Sequence, residues 1–198
     1  MNYKAIVRSG LLAAGLTLGG AAVAATPSAQ MLADTCAGCH GTDGASQGPA
    51  SPTIAGISND YFVDTMKAFK SGDRPSTVMN RIAKGYTEEE IEKMGKYFSE
   101  LDFAPVEQPF EVDKAKRGFL IHDKACKKCH ADGGRSKEDD SGILAGQWQQ
   151  YLIYSMKDFR EGDRLAPKKM RKAVDYVERH YPDKGFEQLL HFYASQVD

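Results

Sequence analysis

All four cysteines of this 198-residue chain sit in two pentapeptides, Cys36-Ala37-Gly38-Cys39-His40 and Cys126-Lys127-Lys128-Cys129-His130. Two thiols three positions apart can each form a thioether to a porphyrin, and the adjacent histidine then falls under the iron as an axial ligand. A zinc site or a redox dithiol also uses Cys-X-X-Cys. Zinc, however, would need a second cysteine or histidine pair near each motif, and a dithiol gains nothing from the trailing histidine. The pattern predicts two c-type haems held through Cys36, Cys39, Cys126 and Cys129, with His40 and His130 as proximal ligands. With every cysteine committed, no disulfide remains to staple the fold, and each haem takes that place as a large apolar body that a short chain can wrap.

The two motifs belong to a longer repeat. A fixed offset of 90 residues aligns Cys36 with Cys126, Ile54-Ala55-Gly56 with Leu144-Ala145-Gly146, Tyr61 with Tyr151, Phe69 with Phe159, and Gly72-Asp73-Arg74 with Gly162-Asp163-Arg164. An internal duplication of this kind predicts two like units. Between them Ala104-Pro105-Val106-Glu107-Gln108-Pro109 reads as an extended link, because proline is excluded from helix interiors. The expected organisation is a signal segment at 1–25, a first haem-cored domain at 26–103, a linker at 104–109 and a second domain at 110–198.

The pattern within each unit is helical, with no convincing strand alternation. Helices are expected over residues 28–36 and 112–125 leading into the two motifs, over about 59–70 and 148–160 behind them, and over 186–194 near the end. The clearest boundary is Thr87-Glu88-Glu89-Glu90, a capping box opening a helix that lines up Ile91, Met94, Phe98 and Leu101 on one face.

At the amino terminus, Lys4 and Arg8 precede an apolar run from Leu11 to Ala24. This reads as a secretory signal cleaved near Ala24 or Ala25, with a retained anchor disfavoured because the run is short of a bilayer span and broken by Gly19-Gly20. The reading makes the protein periplasmic, with no membrane anchor after cleavage. Removing Lys4 and Arg8 leaves 24 basic against 27 acidic residues, a balance that offers nothing to nucleic acid.

The distal ligands are expected to be methionines. Met79 and Met170 follow their motif histidines by 39 and 40 residues, each in a polar stretch beyond a helix. Met66 and Met156 obey the 90-residue offset better, but both sit mid-helix among aromatic and aliphatic residues, where methionine is more often core filler. A loop also reaches across a porphyrin more readily than a helix middle. His122, His180 and His191 have no counterparts in the first half and read as surface or packing residues. Pro52-Thr53-Ile54-Ala55-Gly56 resembles the segment of class I cytochromes c whose backbone carbonyl orients the proximal histidine. The second half has Gly142 where Pro52 stands, so the two haems need not share a potential.

Taken with its flanks, the chain resembles the dihaem cytochrome subunit of flavocytochrome c sulfide dehydrogenase. The likeness is carried by Cys36-Ala37-Gly38-Cys39-His40-Gly41-Thr42, Gly48-Pro49-Ala50-Ser51-Pro52-Thr53-Ile54, Ser76-Thr77-Val78-Met79-Asn80-Arg81-Ile82-Ala83-Lys84-Gly85-Tyr86, Ile143-Leu144-Ala145-Gly146-Gln147-Trp148, Asp158-Phe159-Arg160-Glu161, Lys168-Lys169-Met170 and Phe192-Tyr193-Ala194-Ser195-Gln196. It implies an all-α fold of two tandem class I cytochrome c domains, each around one covalent haem, with Met79 and Met170 as axial ligands. It also implies a separate flavoprotein subunit carrying FAD, which oxidises sulfide and passes electrons through the haems to a downstream acceptor. The sequence agrees with that division of labour: no Gly-X-Gly-X-X-Gly element follows a strand, and no cysteine is spare. The competing functions are a free-standing dihaem shuttle to a terminal oxidase and, more remotely, a dihaem peroxidase, which would require a haem with a displaceable ligand.

Overall fold

The computed structural model describes residues 26–138 and 141–197. The expected signal segment at 1–25 and the acidic pair Asp139 and Asp140 lie outside the described residues. Within them the chain is helical, with no strand.

The first half contains α1 (Ala29–Asp34), α2 (Ala37–His40), α3 (Asn59–Ser71), α4 (Met79–Ile82) and α5 (Glu88–Ser99). The second contains α6 (Val112–Ile121), α7 (Gln149–Glu161), α8 (Lys168–His180) and α9 (Gly185–Ala194), with a π-helical turn, His122–Cys126, running from α6 into the second motif.

Local chemistry sets the helix ends. Ser28 and Ser58 cap α1 and α3 by accepting the Met31 and Tyr61 N–H groups at 3.2 and 3.1 Å. At α5 the capping box is complete: Thr87 Oγ1 accepts the Glu90 N–H at 3.2 Å while Glu90 Oε2 accepts the Thr87 N–H at 2.8 Å. Three glutamates in that first turn oppose the positive end of the helix dipole. Helices α3 and α7 both stop at a left-handed glycine, Gly72 at φ 94° and Gly162 at φ 82°, a conformation that costs a side-chain-bearing residue about 1 kcal/mol or more.

Each half buries its own cluster. The first packs Leu32, Phe62, Met66, Ile91, Met94 and Phe98, and the second packs Ile121, Leu152, Val177, Leu189, Phe192 and Tyr193. The duplication repeats in the backbone: Ile54 N–H donates to Gly44 O and Leu144 N–H to Gly134 O, both at 2.9 Å. In the second half α6 and α9 cross at Gly118, and Lys114 reaches over to Glu187 at 2.6 Å.

The segment 104–109 lies against the second half, where Val106 N–H donates to Gly146 O at 2.7 Å and Gln108 Nε2 to Gln147 O at 2.8 Å. The two halves also exchange side chains. Gln147 pairs with the backbone of Thr53 in both directions at 2.9 Å, and Ile143 joins the first half's core. The repeat-related pairs cross over: Arg74 Nη2 donates to the Tyr151 hydroxyl at 3.1 Å, and Arg164 Nη2 to that of Tyr61 at 3.4 Å. Each guanidinium also stacks on the phenylalanine of its own half, Phe69 or Phe159. Among the described residues no helix is long and apolar enough to cross a membrane.

Candidate haem sites

Both pentapeptides occupy helical turns. In the first, the His40 N–H bonds to Cys36 O at 2.9 Å, and in the second the His130 N–H bonds to Cys126 O at 3.0 Å. This fixes each histidine one turn beyond the first cysteine of its motif. All four thiols are free, with Cys36 and Cys126 half-buried and Cys39 and Cys129 exposed. Burial pushes the Cys36 thiol up, and it pushes Cys126 up to about 11 against a hydrogen bond from Tyr193 that lowers it. Redox-active dithiols depend on a depressed thiol pKa, so these motifs are built for attachment rather than thiol exchange.

His40 is buried, and its Nδ1 lies 2.8 Å from Pro52 O, the contact expected from the proline segment. That bond commits Nδ1 as donor and leaves Nε2 as the free lone pair, the tautomer an axial ligand needs. Burial lowers the His40 pKa against the Pro52 bond, which also favours the neutral ligand form.

Met79 is half-buried and opens α4. Its N–H donates to Ser76 Oγ at 3.0 Å, and the next residue, Asn80, donates from Nδ2 to Phe69 O and Arg74 O at 2.7 and 2.9 Å. The methionine is thereby pinned to the end of α3. Met66 is 4% exposed and packs in the first core, as its mid-helix position predicts, whereas Met156 is only half-buried.

The surroundings of Met170 differ from expectation. It sits not in a polar turn but in the first turn of the 13-residue helix α8. Met170, Val174, Val177 and Tyr181 recur at helical spacing and turn one side of α8 inward, with Val177 1% exposed, while Lys168, Lys169, Arg171 and Lys172 stay in solvent. The corresponding stretch of the first half is only the four residues of α4 and a single 3-10 turn, Ala83–Gly85.

The three remaining histidines have protein partners. His122 is buried against Tyr193, His180 stacks on Tyr176 with ring centroids 4.1 Å apart, and His191 Nδ1 accepts the Glu111 N–H at 3.1 Å. Sequence reasoning missed the crossed Arg–Tyr pairs, although their four members stand out in the repeat alignment. Burial pushes the Tyr151 phenol up, but Arg74 and Arg164 outweigh it and bring it down to about 7. Arg74 Nη1 also donates to Thr65 Oγ1 at 3.3 Å, and the buried Trp148 Nε1 has no hydrogen-bond partner. Free paired thiols and an oriented imidazole suit a covalently attached haem.

Comparison with known proteins agrees. Residues 25–102 match the family model described as Cytochrome c. The cytochrome subunit of sulfide dehydrogenase of Chlorobaculum tepidum is 50% identical over 72 residues, which cover 36% of this chain and 64% of that protein. Cytochrome c4 of Azotobacter vinelandii is 28% identical over 170 residues, 78% of this chain and 81% of the relative. Cytochrome c-554(548) of Halomonas halodenitrificans is 35% identical over 68 residues, 33% of this chain and 82% of the relative. The crystal structure of reduced cytochrome c4 from Pseudomonas stutzeri superposes with a TM-score of 0.73 at 24% identity, covering 85% of this chain and 96% of that one. The chain belongs to the cytochrome c family, as an all-helical electron-transfer protein of duplicated fold with two covalently bound c-type haems.

Proposed function

We propose that this protein is the dihaem electron-transfer subunit of a sulfide-oxidising dehydrogenase, exported to the periplasm and divided into haem-cored domains at 26–103 and 110–198 joined by 104–109. The observation that carries the reading is the 50% identity over 72 residues to a sulfide dehydrogenase cytochrome subunit. When bound, each haem supplies a one-electron iron couple. Cys36, Cys39, His40 and Met79 would hold one, and Cys126, Cys129, His130 and Met170 the other. Pro52 fixes the His40 ring, and the Asn80 bonds fix the approach of Met79. A sulfur and a nitrogen ligand on each iron leave no open position for substrate, so the chemistry on sulfide belongs to a separate FAD-bearing subunit, and a downstream acceptor receives the electrons.

The similarity to a cytochrome c4 over 78% of the chain favours a second reading, a free-standing shuttle to a terminal oxidase. The two separate on gentle purification of the tagged chain from its native host. A co-purifying flavoprotein, with haem reduction on adding sulfide, is the expected result. Haem-bearing protein that arrives alone and does not respond to sulfide overturns the subunit reading and leaves the shuttle.

A further inference from the structure

The two haem sites are alike in plan and unlike in charge. Laying Met170 on Met79 sets Lys168, Lys169, Arg171 and Lys172 against Thr77, Val78, Asn80 and Arg81. The 90-residue offset sets Lys124, Lys127 and Lys128 against Asp34, Ala37 and Gly38. The second half thus carries seven cations where the first has one cation and one carboxylate, and all seven are exposed. Asp123 pairs with Lys127 at 2.6 Å, and the other six enter none of the ion pairs among the described residues.

The chain itself places these charges. Lys127 and Lys128 lie between the two cysteines of the second motif, and the four cations of α8 lie within two residues of Met170. The π-helical turn His122–Cys126, which carries Lys124, packs against α8. With His130 and Met170 as the two ligands, cations border the second haem on both faces. The stability of α8 does not ask for them. A helix N-terminus is the positive end of the dipole, where carboxylates stabilise and cations do not. Helix α5 follows that rule with three glutamates in its first turn, whereas α8 has no acidic residue there and four cations among its first five residues. Composition does not explain them either. Residues 26–103 hold 7 basic against 11 acidic residues, and residues 110–198 hold 17 against 15, so the positive charge is gathered on one half of a slightly acidic chain.

We propose that the basic surface around the second haem is the docking face for the downstream electron acceptor, a redox protein with an acidic patch over its own redox centre. Cations on both faces of one haem draw an anionic partner to the place where an electron can leave, and a lipid surface gains nothing from that place. Leu165, 79% exposed and three residues before Lys168, adds the uncovered apolar contact that protein interfaces combine with a charged rim. The inference rests on the assignment of a haem to Cys126 and Cys129. It holds for a dehydrogenase subunit and for a free shuttle alike, since both deliver electrons to an acceptor.

The test is stopped-flow oxidation of the reduced holoprotein by plastocyanin, a copper protein with an acidic face, from about 0.01 to about 1 M ionic strength, where the Debye length shrinks from about 30 to about 3 Å. The second-order rate of the parent should fall by roughly tenfold or more. Lys168→Glu with Lys169→Glu should lower the low-salt rate by roughly tenfold and flatten its salt dependence. Lys93→Glu with Lys96→Glu, an equal change of charge on α5, should leave the rate within about threefold. The red sulfur-to-iron band checks ligation in each variant, and Lys124→Glu with Lys172→Glu replaces the first pair if that band is lost. A parent rate insensitive to salt, or equal losses from the two halves, overturns the proposal. So does binding of the parent to phosphatidylglycerol vesicles that Lys168→Glu with Lys169→Glu abolishes while the rate with plastocyanin stays unchanged, which assigns the surface to lipid. A salt-insensitive rate in a chain that co-purifies with a flavoprotein fails this proposal alone, and a localised salt effect in a chain that purifies alone fails the subunit reading alone. A parent chain without a haem on the second motif overturns the haem assignment, and the proposal with it.

Discussion

Replacing Gly118 with alanine should destabilise the second half, although alanine is the better helix former. The Cβ would lie 2.0 Å from Gln188 O, 2.5 Å from the Gln188 carbonyl carbon and 2.8 Å from Phe192 Cβ. Ordinary contact begins near 3.4 Å, and two of these three neighbours are backbone atoms of α9 that cannot rotate away. The helices would have to separate by more than about 1 Å, a gap that forfeits a quarter to a half of the dispersion energy of each contact it opens. Ile121, Leu189 and Phe192 are packed in the affected cluster. Helix propensity returns at most about 1 kcal/mol, whereas overpacking a close-packed interface costs about 1–3 kcal/mol and more when backbone must move. A net loss of about 2 kcal/mol should lower the melting temperature by roughly 8–16 °C for a unit of this size. Thermal unfolding of the oxidised holoprotein by far-ultraviolet circular dichroism measures it, with Lys116→Ala on the exposed side of the same helix as a control expected to stay within about 0.5 kcal/mol. If Gly118→Ala melts at or above the parent, the close approach of α6 and α9 is not what selects glycine.

Three further outcomes are expected. Met79→Ala and Met170→Ala should each remove the weak red sulfur-to-iron charge-transfer absorption of one haem; full survival of the band in either variant would reassign that ligand. Thr87→Ala removes the hydroxyl that accepts the Glu90 N–H and should cost about 1 kcal/mol of stability in denaturant unfolding, with Thr87→Ser recovering most of it. Tyr151 titrates near 7 in the fold against about 10 in the unfolded chain, so the folded state loses its proton first. Its contribution to stability is therefore full above about pH 10 and is lost as pH falls through 7. Arg74→Leu should move the Tyr151 titration upward, read by carbon NMR of labelled tyrosine, and an unmoved titration would show that Arg74 is not its electrostatic partner.

What the sequence revealed follows from the range of the interactions. The Thr87 capping box spans three residues, and the His40 contact with Pro52 spans 12; both were readable because their partners lie within one local motif. The duplication was readable because side chains repeat at one offset. Helix α8 was missed because eight of its 13 residues are charged or histidine, which hides the few apolar positions on its inner side. The His122–Tyr193 bond joins residues 71 apart, and the Arg74–Tyr151 bond residues 77 apart. Neither has a spacing rule, and each arises only once helices from different parts of the chain have packed.

The crossed pairs Arg74–Tyr151 and Arg164–Tyr61 make each repeat supply what the other's surface is missing. A gene segment encoding either half alone would leave an arginine facing solvent or stranded against apolar neighbours, so the duplication is no longer reversible at the level of the folded product. The exchange also replaces a tether with a seam. The six residues between the halves then serve less as a leash than as a strip fastened along the second half, with Gln108 bonded to Gln147 and to Gln149, while the four residues of the seam hold the two halves in register.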